Sequence, residues 1–75
     1  MNITELKDKL IELAIPKDSY CFEGGLPNES YCIIKIDNEW EVYYSERGIK
    51  SNKQIFKDED TACDYFLNIL TKAFL

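Results

Sequence analysis

Apolar residues at Ile3, Leu6, Leu10, Leu13 and Ala14 recur at helical spacing, with Lys7, Asp8, Lys9 and Glu12 on the other side. This pattern predicts a first amphipathic helix over "NITELKDKLIELAIP". Asn2 or Thr4 can cap its start, and Asn2 with Glu5 has the spacing of a capping box. Pro16 ends the helix and drives Ile15 toward an extended conformation. The period then changes from 3.6 to 2. "YCF" reads as a short strand, "GGLPN" as a loop, and Tyr31 to Ile36 as a second strand. Along that strand Cys32, Ile34 and Ile36 share one face, and Tyr31, Ile33 and Lys35 the other. "DNE" supplies a tight turn of residues that tolerate positive φ. Trp40 to Ser45 forms a third strand, with Trp40, Val42 and Tyr44 toward the core and Glu41, Tyr43 and Ser45 away from it. "ERGIKSNKQ" reads as a connection, and Lys53 to Lys57 as a short last strand protected by lysines against edge pairing. "DEDTACDYFLNILTKAFL" is a second helix, capped by Asp58 or Asp60, with Ala62, Cys63, Phe66, Leu67, Leu70, Ala73 and Phe74 as its buried stripe.

Together these elements predict one α+β domain over residues 1–75: a helix, a three- to four-stranded antiparallel sheet and a second helix. Both apolar stripes need cover, so both helices are expected on one sheet face. A 75-residue chain with 45% hydrophobic and 13% aromatic residues can bury such a core. The opposite face is then expected to be open, showing Glu41 and Tyr43, with Tyr31 and Ile33 alongside. Tyrosines so placed serve either as contact residues for a partner or as cross-strand stabilisers.

Charge and chemistry narrow the function. The formal charge is −5, which disfavours phosphate backbones and anionic membranes and suits a basic protein partner. The helix–strands–helix order is also that of double-stranded-RNA-binding domains. In those modules a lysine-rich start of the last helix meets phosphate, where this chain has Asp58, Glu59 and Asp60. Nucleic acid is therefore not the expected partner. The chain has no histidine, so Ser-His and Cys-His nucleophiles cannot be assembled within it. Gly24-Gly25 lacks the surroundings of a phosphate loop, and "DEDTACD" lacks the alternating ligands and central glycine of a calcium loop. A site using Glu46, Arg47 and a tyrosine is conceivable, but nothing in the pattern selects one, and the chain is read as a non-enzyme without metal or cofactor. Cysteines at 21, 32 and 63 fit no zinc spacing and read as reduced thiols, although Cys21 and Cys32 can face each other across a hairpin. Without a signal-peptide pattern or a transmembrane run, the expected location is the cytoplasm.

With "GGLPNESYCI", "WEVYYSERG" and "F…DEDTACDYFL" in view, the sequence resembles the small acidic immunity proteins encoded beside bacterial polymorphic or contact-dependent toxins. The resemblance covers nearly the whole chain, from "IPKDSY" through the last helix. It implies a cytosolic, non-enzymatic protein that binds and neutralises one cognate toxin, commonly a nuclease. It carries no motif-level binding residues. From the residues themselves, Tyr31, Glu39, Glu41, Tyr43, Glu46 and Arg47 are the candidates for contact with a basic toxin domain. A regulatory module, monomeric or homodimeric through its open face or an edge strand, is the competing expectation.

Overall fold

The computed structural model describes all 75 residues. The first helix, α1, spans Ile3–Glu12. Its capping box is complete: Asn2 Oδ1 accepts from the Glu5 amide at 2.9 Å, and Glu5 Oε1 accepts from the Asn2 amide at 3.0 Å. The helix stops short of the expected apolar stripe. Ala14 is exposed in a left-handed conformation (φ 57°), and its amide donates to Ile11 O while the Ile15 amide donates to Leu10 O. That pair of bonds is a Schellman closure with alanine where glycine is usual. Ala14 is thus a terminator rather than a core residue.

After a 3-10 turn at Lys17–Ser19 come β1 (Tyr20–Cys21), β2 (Ser30–Ile36), β3 (Glu39–Glu46) and β4 (Ile49–Phe56), followed by α2 (Glu59–Phe74). The four strands form one sheet in sequential order. The sheet is mixed, not wholly antiparallel, because β1 runs parallel to β2, with Tyr20 beside Tyr31 and Cys21 beside Cys32. A parallel neighbour normally requires a long crossover. Here β1 has two residues, so the chain needs to double back only slightly, and residues 22–29 suffice. Cys21 and Cys32 are consequently partners across a parallel pair, not across a hairpin, and both are free thiols.

The β3–β4 turn at Arg47-Gly48 has positive φ at both positions (51° and 76°), the condition of a type I′ hairpin. This two-residue turn lets β4 begin at Ile49, well ahead of the expected Lys53. A register shift between Val42 and Tyr44, with Asn52 at φ 54°, bulges β4 midway.

α2 starts on Asp58, whose side chain accepts from the Thr61 amide at 2.7 Å. It packs on β2, β3 and β4, and α1 packs on α2. The core is a single cluster built from Leu6 and Leu10 of α1, Ile33 and Val42 of the sheet, and Ala62, Cys63, Phe66 and Leu70 of α2. Phe66 is fully buried, and Phe22 packs its ring against it at 6.0 Å. Burial of one such side chain stabilises by about 1.5–3 kcal/mol. The helix starts are tied together as well. The Ile3 amide donates to Glu59 Oε2 at 2.8 Å, and the Met1 amine pairs with Asp60.

Candidate protein-binding surface

The β2–β3 register decides which residues share each face of the sheet. Ile33 pairs with Val42 and Tyr31 with Tyr44, so Tyr31 and Ile33 lie on the helix-covered face beside Trp40, Val42 and Tyr44. A three-residue "DNE" turn would have paired Ile36 with Trp40 and put Tyr31 and Ile33 with Tyr43. The actual loop is only Asp37-Asn38, with Asp37 at φ 56° and Glu39 already in β3. A slip of one residue exchanges the two faces of a strand. Ile33 is therefore core, and Tyr31 is half-buried with its ring 4.7 Å from that of Tyr44.

The second face is not open either. The loop of residues 22–29 folds over its middle, and the Tyr43 hydroxyl donates to Gly25 O at 2.7 Å. Gly24 sits so near Ile34 that a Cβ would come within 3.3 Å of that side chain, at a φ of 78° that already favours glycine. Tyr43 is 1% exposed and Glu41 6%. Lys50 reaches across from β4 to Glu41 Oε1 at 2.8 Å, with its ammonium 4.4 Å above the Tyr43 ring. The expectation that Glu41 and Tyr43 are displayed to a partner is therefore wrong. Both are buried on this face together with Cys32 and Ser45. Burial pushes the Tyr43 hydroxyl well above the usual phenol range, and pushes the Cys32 thiol up to about 11. Both groups stay neutral at ordinary pH.

Three of the six sequence candidates remain exposed, namely Glu39, Glu46 and Arg47. They do not form one patch. Glu39 opens β3 and Glu46 closes it, a separation of about 24 Å at roughly 3.4 Å per residue. Glu46 and Arg47 do share a shallow hollow of about 180 Å³ with Ile49 and Ser51.

The larger concavity is on the helix side. α2 lies close to β4 at one end, where the Tyr65 ring is 5.1 Å from Phe56, and leaves a groove of about 230 Å³ farther along. Its walls are Tyr31 and Tyr44 from the sheet and Tyr65 and Ile69 from α2, with Asn52 and Gln54 of β4 at the border. Drug-sized ligands occupy roughly 300–1,000 Å³. The groove is therefore the size of a side chain rather than of a metabolite. Tyr31 belongs to this groove, on the face opposite to the one expected. Tyr65, Ile69, Asn52 and Gln54 were not singled out by the sequence. Tyr65 flanks the α2 stripe next to Phe66, and that half-buried position was its only signal. β4 has β3 on one side and no strand on the other, so the groove lies beside a free sheet edge.

No helix is long and apolar enough to cross a membrane. No protein-family model, curated protein or solved structure matches the chain.

Proposed function

We propose that this chain is a protein-binding module that neutralises a bacterial toxin domain by direct contact, acting as an immunity protein in the cytoplasm rather than as an enzyme. The observation that carries the reading is the tyrosine-walled groove of Tyr31, Tyr44 and Tyr65 beside the unpaired β4 edge. Tyrosine combines a large rigid contact area with a polar tip and is enriched where interfaces concentrate their energy. The resemblance to acidic immunity proteins agrees with it. So does the net charge of −5, whose long-range field would speed encounter with a basic toxin such as a nuclease. Exposed Glu39 and Glu46 are the members of the original candidate set able to meet such a partner at its basic surface.

The test begins with the adjacent gene: the reading expects it to encode a large secreted protein with a toxin-like C-terminal domain, and that domain is then co-expressed with this chain. Restored growth and a 1:1 complex by calorimetry are the expected results. Growth arrest unaffected by this chain, with no heat of binding, would remove the toxin-neutralising reading.

A further inference from the structure

The free edge, the groove and the local charge belong to one stretch of chain. β4 offers backbone N–H and C=O groups on its outer side, and such an edge is a template for another strand. The bulge at Asn52 breaks that edge, leaving Lys53–Phe56 as the regular part next to the groove. Gln54 of this part borders the groove, and by alternation Lys53 and Ile55 point to the other side of the sheet. A strand added here would alternate in the same way. Every second side chain would enter the space between β4 and α2, against Tyr65 and Ile69. The intervening ones would lie over Lys53 and Ile55.

Charge then selects the occupant. Residues 49–57 carry Lys50, Lys53 and Lys57 and no carboxylate, with Asp58 following next to Lys57, so the positive character of this edge centres on Lys53 in a molecule of net charge −5. Charges more than about 8 Å away are largely screened at physiological salt, so the local sign governs what docks. Lys50 is already committed to Glu41, whereas Lys53 and Lys57 are exposed and have no ion-pair partner. A second copy of β4 would bring lysines against lysines, which disfavours self-pairing. The same lysines attract carboxylates.

We infer that β4 receives an extended acidic segment of the protein partner as a fifth strand, its apolar or aromatic side chain seated in the groove of Tyr31, Tyr44, Tyr65 and Ile69 and its carboxylates beside Lys53 and Lys57. This rests on the reading of the chain as a protein-binding module and names the chemistry of the segment it takes. The volume of about 230 Å³ suits one large side chain. The interface is therefore anchored at a single point and completed by backbone pairing.

The test uses the 15N-labelled protein and a blocked heptapeptide alternating glutamate with isoleucine and a central tyrosine. Binding with a Kd at or below about 1 mM is expected, with amide shifts concentrated on residues 53–56 and on Tyr65 and Ile69. Lys53→Glu, at an exposed position, should weaken binding about tenfold or more. Gln54→Trp, which fills the groove from its border, should abolish it. A peptide N-methylated on alternate residues should also fail, without any change to the protein. Absence of shifts at about 2 mM peptide would overturn the inference. So would equal binding of a lysine-for-glutamate peptide, or concentration-dependent β4 shifts without peptide that reveal a second copy on the edge. A toxin domain that binds while leaving the β4 amides unshifted would sink this site and leave the proposed function standing. Peptide binding on β4 with no toxin neutralisation would do the reverse.

Discussion

Glu41 is the residue whose role differs most between a displayed strand and the observed one, and Lys50→Met separates the two. In the fold, Glu41 is 6% exposed and its carboxylate has one cationic partner, Lys50, at 2.8 Å. Removing the ammonium leaves a buried carboxylate without compensation. Breaking a fully buried pair in this way costs roughly 3–5 kcal/mol. The Lys50 side chain is 37% exposed, so water reaches the pair and the cost falls to about 2 kcal/mol. Loss of the ammonium from the Tyr43 face adds up to about 1 kcal/mol. A total of about 2–3 kcal/mol is a large fraction of the roughly 4–11 kcal/mol that a domain of this length possesses. The thermal midpoint should fall by roughly 8–20 °C. Urea unfolding followed by the fluorescence of half-buried Trp40 measures the change. A cycle with Glu41→Gln should return a coupling of at least about 1 kcal/mol. If both single variants stay within about 0.5 kcal/mol of wild type, as exposed positions do, Glu41 is not a structural group and the covered-face account fails.

Three further outcomes are expected. Ala14→Gly should stabilise the protein by about 0.5–1 kcal/mol and raise the midpoint by roughly 2–8 °C, because it relieves a left-handed alanine at no cost in burial; a lower midpoint would contradict the Schellman geometry. Hydrogen bonds from Thr61, hydroxyl first and backbone N–H second, hold the Asp58 carboxyl below its ordinary value of 3.8. A depressed carboxylate stabilises above the unfolded value and loses that contribution as pH falls through the folded one. Melting scans should therefore decline below about pH 4, and Asp58→Asn, which can still cap, should flatten part of that decline. Burial pushes the Cys32 and Cys63 thiols up to about 11, so at pH 8 only about a thousandth of each is thiolate. Iodoacetamide mapped by mass spectrometry should modify half-exposed Cys21 first and reach the other two only on unfolding.

Much of the fold was legible because it is locally determined. The Asn2–Glu5 box, the Asp58 cap and the stripe through Ala62, Cys63, Phe66 and Leu70 are written within one or two helical turns, whereas Ala73 and Phe74, expected in that buried stripe, are exposed in the last turn. The alternation inside β3 likewise put Trp40, Val42 and Tyr44 on one face; Val42 is core and Trp40 packs against it, while Tyr44 is a half-buried wall of the groove. What local patterns could not supply was the relation between strands. Alternation sorts each strand into two faces but does not match the faces of neighbours, and one residue in the turn at Asp37-Asn38 decided that match. The cover over Tyr43 was hidden for a similar reason. "GGLPN" reads as a loop, and nothing in five residues says that the loop lies down on the sheet. β4 was shortened because "KSNKQ" does not alternate, which follows from its place at an edge and from the bulge at Asn52. The groove was missed with it, since Asn52 and Gln54 at its border belong to that bulged stretch.

The ties between the two helix starts have a kinetic side. Met1 and Ile3 find their partners at Asp60 and Glu59, so contacts that hold the first turn of α1 join points nearly a whole chain length apart. Closing so long a loop delivers its reward only after the strands between have paired. The local Asn2–Glu5 box can form by itself, so it is the docking of the first turn of α1 onto α2 that is expected late on the folding path and first to be released when the domain opens.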